Sequence, residues 1–149
     1  MQTVKYQQEL FSLVMDEIKP LTQDEWEESG HPNRPLDVNW NAYLDAENRG
    51  QLNLFTARDG ETLIGYFVVL VMSPLTTASD IVGYYDSVYV RKDYRKSFVG
   101  RRLFKFVEQC LKEDGIQRVI ASSSKKNPIG KFLNRLGYEE IETKYEKDL

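Results

Sequence analysis

Apolar residues recur along the 149-residue chain at two different spacings, and the spacing changes where the structural element should change. Leu10, Leu13, Val14 and Ile18 form a helical stripe, preceded by a short strand over Val4 to Tyr6 and expected to stop at Pro20. After it come the acidic stretch TQDEWEESG and the turn-rich GHPNRPLD. A second short helix, Asn39 to Asn48, is closed by Gly50. The pattern then becomes that of strands. LNLFTA, the turn Arg58-Asp59-Gly60 and ETLIGYFVVLVM read as a hairpin whose second arm is central, and Ile81 to Val90 reads as a further buried strand. Helical spacing returns with Val99, Leu103, Phe106, Val107, Cys110 and Leu111, and this helix ends at Gly115. QRVIASS is a fifth strand. Asn127-Pro128 opens a short helix through Leu136, Gly137 stops it, and YEEIETKYEK reads as a final polar strand.

This order predicts an α+β fold, a mixed and mostly antiparallel sheet flanked by helices. No repeat, low-complexity tract or linker divides the chain, so residues 1–149 form a single domain. Cys110 is the only cysteine and His31 the only histidine, which argues against a disulfide and against a Cys- or His-based metal site; no metal is expected. MQTVKYQQEL lacks the charged and apolar regions of a secretory leader, and the longest apolar run is too short to span a bilayer. A cytoplasmic protein, monomer or homodimer, is the expectation.

Charge adds the first chemical clue. The chain carries a net −3, yet Arg91, Lys92, Arg95, Lys96, Arg101 and Arg102 crowd between a strand end and a helix start against Asp93 alone. A strand running into basic side chains and a helix N-terminus suits a small polyanion, because the unpaired amides and the helix dipole both favour phosphate. Taken alone, the same cluster reads equally well as a solvated helix face.

The segment Arg95-Lys96-Ser97-Phe98-Val99-Gly100, preceded by Val88-Tyr89-Val90, resembles the signature of the GCN5-related N-acetyltransferase (GNAT) superfamily, a strand followed by Arg/Gln-x-x-Gly-x-Gly/Ala and a helix. TARDGETLIG, Asn127 and Leu136-Gly137-Tyr138 extend the resemblance over nearly the whole chain, and the pattern looks most like small bacteriophage-encoded GNAT proteins. The resemblance implies a sheet splayed between the fourth and fifth strands, with acetyl-CoA bound in the splay. Its pyrophosphate would lie on Arg95, Lys96, Ser97, Phe98, Val99, Gly100 and Arg101, its pantetheine arm along Val88, Tyr89 and Val90, with Asn127 on the cofactor side. An amine acceptor would then attack the thioester directly, with a backbone amide stabilising the tetrahedral intermediate.

Two positions depart from the family pattern. Phe98 replaces the first loop glycine, and Leu133 stands where many members place the tyrosine that protonates the departing thiolate. Asp86 ends a strand or, as the resemblance implies, takes the acceptor's proton directly or through water. Tyr89 is a candidate catalytic hydroxyl as well as a cofactor contact, and Tyr84 and His31 are candidate substrate contacts. Cys110, on an apolar stripe, reads as structural. DEWEE reads as a solvated face able to attract a cation. Two other readings remain. One is a catalytically weak CoA-binding protein acting through a partner, favoured by Phe98 and Leu133. The other is a nucleic-acid module, weaker because no recognition helix or basic platform accompanies the cluster, so no nucleic acid and no membrane partner is expected.

Overall fold

The computed structural model describes residues 3–30 and 33–149. The β-branched and aromatic runs form β1 (Val4–Glu9), β2 (Leu52–Asp59), β3 (Thr62–Met72), β4 (Val82–Val90) and β5 (Arg118–Ile120), which lie side by side in chain order. β1 to β4 are antiparallel neighbours and β5 runs parallel to β4. Helices α1 (Phe11–Ser29) and α2 (Trp40–Asn48) cover one face. α3 (Val99–Glu113) and α4 (Gly130–Arg135) cover the other. Because both faces of the central strands are buried, β3 is apolar on both sides, and the core divides into two clusters, one under each helical layer. On the α3 side Phe67 meets Tyr85 and Phe104 edge to face, with centroids 4.5 and 4.9 Å apart.

The splay expected between the fourth and fifth strands is present. β5 pairs with β4 at Val82↔Arg118, Gly83↔Val119 and Tyr84↔Ile120, so among the described residues no strand lies beside β4 on that side from Tyr85 to Val90. Gly83 lets the two strands approach: a Cβ there would stand 3.1 Å from Val69 and 3.4 Å from Val119.

Two expectations are corrected. α1 does not stop at Pro20 but runs through it to Ser29. Phe11, Val14, Ile18 and Leu21 form one continuous buried stripe, and keeping Leu21 in the core outweighs the loss of one helical hydrogen bond. Residues 138–147 form no strand. A strand is held by a neighbour's backbone, and here Tyr138 is instead half-buried with its hydroxyl on Tyr85 and Glu108, while the tail beyond it runs exposed, with Asp148 on Arg34 at 2.6 Å. Among the described residues no helix is long and apolar enough to cross a membrane, and no group of three or more His, Cys, Asp or Glu could hold a metal ion.

Candidate active site

The site grows from an irregularity in β4. Opposite β3, Val68 faces Ser87 and Val69 faces Tyr85, so Asp86 is an extra residue with no partner, a β-bulge. Strict alternation would put Tyr85, Ser87 and Tyr89 on one face. The bulge breaks that phase. Tyr85 packs under α3, whereas Asp86, Ser87 and Tyr89 all turn toward α1 and α2. Two adjacent polar residues therefore face the same helical layer.

That layer supplies partners. Asn39 caps α2 by accepting from the Ala42 amide at 3.0 Å, and one turn on the Tyr43 hydroxyl donates to Asp86 Oδ2 at 2.5 Å. Burial first, then the Asp86 carboxylate, pushes the Tyr43 phenol up and keeps it a donor. From α1, Glu25 accepts hydrogen bonds from Ser87 Oγ, at 3.1 Å to each oxygen, and from the Tyr66 hydroxyl. Burial raises the proton affinity of Glu25, and the charges of Asp86 and Glu28 add to it, while the two hydroxyl donors oppose. Tyr84, the last β4 residue paired to β5, is half-buried where the strands part.

Beyond Val90 a 3-10 turn, Lys92–Tyr94, leads to the start of α3. Ser97 Oγ accepts from the Val99 amide at 3.4 Å, a long contact, and no side chain caps the helix at Phe98, so the first-turn amides remain available. Gly100 lies in this first turn with nothing within 4 Å of where a Cβ would stand. Lys96, Ser97 and Arg101 are exposed around it, and Val99 is buried as the first core residue of α3. Phe98 does not fill the loop. Its ring is 67% exposed and lies under the Arg102 guanidinium, and with Arg101 and Lys105 the two line a hollow of about 380 Å³.

Arg95 is placed differently from its neighbours. Its Nε donates to the Val90 carbonyl and its Nη2 to Glu28 Oε2, each at 2.7 Å, and its guanidinium lies over the Tyr89 ring. Lys92 faces the other Glu28 oxygen at 3.5 Å. Tyr89 is buried against Tyr66, and burial, with Glu28 next, pushes its phenol up so that it stays protonated. Beside it a cavity of about 370 Å³ has Asp24, Glu27 and Glu28 on one wall and Arg91 and Lys92 on the other.

Asn127 is exposed ahead of α4, and Leu133 is a core residue, 7% exposed, under α3. His31 lies outside the described residues. Cys110 is half-buried and packs against the α3-side core. Glu25 and Glu28 enter the sequence reading only within DEWEE, a solvated face able to attract a cation, and Tyr43 and Ser87 not at all. For the first two a signal existed: continuing the stripe of Ile18 and Leu21 past Pro20 at three- and four-residue steps reaches Glu25 and Glu28, two carboxylates on a core-facing line.

Comparison with known proteins gives this geometry its context. The profile of the Acetyltransferase (GNAT) family matches residues 14–138. The chain belongs to the GNAT family. A search of curated proteins finds no match. Among solved structures, the family member is similar to a predicted acetyltransferase with acetyl-CoA from Clostridium acetobutylicum, at 14% identity and a TM-score of 0.77, covering 98% of this chain and 96% of that one. It is also similar to an aminoglycoside acetyltransferase from an uncultured soil metagenomic sample in complex with sisomicin (14%, TM-score 0.76, 98% and 96% covered). A third is the ribosomal-protein-alanine N-acetyltransferase from Brucella melitensis biovar Abortus (16%, TM-score 0.75, 99% of each chain covered). At these identities the likeness is one of fold, and the GNAT assignment rests on the family profile.

Proposed function

We propose that this GNAT protein is an N-acetyltransferase that moves the acetyl group of acetyl-CoA to a primary amine by direct attack. The observation that carries the reading is the parting of β4 from β5 after Tyr84, which leaves Val88 to Val90 without a strand partner on that side just ahead of the α3 N-terminus, the Val90 carbonyl being held by Arg95 Nε. An extended amide-bearing arm fits such an edge as an added strand. The orphan amides at the start of α3, with Lys96, Arg101 and the open space at Gly100, suit a pyrophosphate. The basic hollow at Phe98, Arg101, Arg102 and Lys105 suits the anionic nucleotide end.

On the other side of β4 the site is acidic. Asp24, Glu27, Glu28 and Asp93 line the cavity beside Tyr89 with Arg91 and Lys92, and Glu25 and Asp86 lie at the neighbouring β4 bulge, so carboxylates outnumber cations and a cationic acceptor is favoured. An aminoglycoside and a ribosomal-protein alanine, the acceptors named for two structural neighbours, are amines and of that kind. In this reading Asp86 receives the ammonium, and Tyr84 and His31 contact the acceptor. Buried Tyr89, protonated and beside the cofactor edge, is available to the departing thiolate. A bacteriophage origin, and with it the host cytoplasm, belongs to the reading through sequence pattern alone.

Calorimetry with acetyl-CoA tests the cofactor half. Binding is expected in the micromolar range and should weaken by about tenfold between 50 and 500 mM salt, because the ligand is a polyanion. Thiol release over a panel of amines tests the transfer half. No binding at millimolar acetyl-CoA rejects the reading; binding without transfer to any amine favours the alternative of a CoA-binding protein that acts through a partner.

A further inference from the structure

Resting on the acetyl-transfer reading, the geometry at the β4 bulge bears on how the acceptor loses its proton. An ammonium has no lone pair with which to attack, so a base is needed before the new bond can form. Two carboxylates meet at the bulge, one on β4 itself and one from the helical layer. Asp86 is exposed, and its Oδ2 holds the Tyr43 hydroxyl. Glu25 comes from α1, is more buried, and is tied to the adjacent residue Ser87 and to Tyr66.

We infer that Glu25 is the proton acceptor of the transfer reaction and that exposed Asp86 is the anchor for the acceptor's ammonium. The groups around Glu25 are Asp86 and Ser87 on β4, Tyr66 on β3, Thr22 and Glu28 on α1, and Tyr43 on α2. Among the described residues no cation forms an ion pair with it; Arg95 and Lys92, the cations at this end of α1, are paired with Glu28. Burial first, with the charges of Asp86 and Glu28 added, holds the proton affinity of Glu25 above that of an ordinary carboxylate. A carboxylate offers about four lone-pair positions, and the two hydroxyl donors leave room for the incoming proton.

The balance is simple. One ammonium proton passes to Glu25, directly or along the Ser87 hydroxyl. The neutral nitrogen forms the C–N bond with the acetyl carbon, the C–S bond breaks, and its electron pair leaves on sulfur. The second nitrogen proton goes to that sulfur, giving the free thiol, and Glu25 then releases its proton to water.

The test compares wild type, Glu25→Gln and Asp86→Asn, with acetyl-CoA and three probe amines (neamine, spermidine and an alanine-terminated peptide), as kcat and KM from pH 6 to 9. Glu25→Gln is expected to lower kcat/KM at pH 7 by about 10- to 100-fold, near the lower end of general-base contributions. The defect should shrink as pH rises and free amine accumulates. Asp86→Asn is expected to raise KM chiefly. A Glu25→Gln enzyme with the wild-type pH profile, while Asp86→Asn loses kcat, overturns the assignment and puts the proton on Asp86. Carbon-13 titration of the glutamate carboxyls gives a readout independent of any acceptor. An inflection above the ordinary range that vanishes in Glu25→Gln supports the inference, and its absence overturns it. A folding check carries its own sign. Because Glu25 binds its proton more tightly folded than unfolded, wild type loses stability as pH rises through that window, so Glu25→Gln should melt above wild type at pH 8 and approach it near pH 5. A wild type that binds no acetyl-CoA rejects the transfer reading itself; one that binds and acetylates leaves only the role of Glu25 in question.

Discussion

Gly100 is a glycine that the protein's own packing does not require. It has no left-handed backbone, and a Cβ there would touch nothing within 4 Å. Under the acetyl-CoA reading proposed above, a small residue there would serve a ligand close to the backbone. Gly100→Glu separates the two possibilities because its effects should have opposite signs. Replacing a helical glycine and placing an acid in the first turn of α3 should stabilise the fold by about 0.5–1 kcal/mol. The same carboxylate and side chain would sit where a pyrophosphate is expected, so acetyl-CoA binding should be abolished. Melting and calorimetry on one preparation check both, and unchanged affinity in a folded variant would put the pyrophosphate elsewhere. Phe98, which stands where the family pattern has its first loop glycine, adds bulk to the same loop. Its ring turns outward, and the loop stays open.

At the scale of elements, α1 is the one whose length matters most. Pro20 breaks the hydrogen-bond ladder at its centre, yet the half beyond Pro20 delivers Glu25 and Glu28 to the site. The element thus tolerates a local cost that its buried stripe offsets. Pro20→Ala should remove the ring's clash and restore a backbone donor, while raising unfolded-chain entropy by a smaller amount. A net gain of about 1–2 kcal/mol is expected by urea unfolding, with acetyl-CoA affinity unchanged. A loss of stability would show that the proline sets a bend on which the packing of Leu21 depends. β4 teaches a related lesson. Its sequence, VGYYDSVYV, is a plain strand run, and one unpaired residue at Asp86 reverses the facing of everything after it. Nothing in that run marks the bulge, because its cause is the register against β3.

Across the whole molecule, the basic loop and the acidic helix neutralise each other. Glu28 pairs with Arg95 and Lys92 over a sequence separation of more than sixty residues, taking up two of the cations that would otherwise face an anionic cofactor. Removing that competition should strengthen binding. Glu28→Gln is expected to tighten acetyl-CoA by about three- to tenfold at low salt, with a steeper salt dependence, as Arg95 becomes free to turn toward the loop. Calorimetry at two ionic strengths checks it, and weaker binding would mean that Glu28 holds Arg95 in its productive position.

The chain alone determined the element order as far as α4, the α+β class and the strand–loop–helix succession around the basic cluster, because these rest on local periodicity and on residues close in sequence. The strand through Val88 to Val90 and the α3 stripe could be placed from their spacing, and family resemblance supplied the splay and the roles expected of Lys96 and Gly100. Only the tertiary structure decided which carboxylates meet the bulge, where Arg95 points, and that residues 138–147 find no strand partner. The physical reason is common to all three. A side chain's facing in a bulged strand, an ion pair between distant segments, and the pairing of a polar strand each depend on a neighbour that local pattern does not specify.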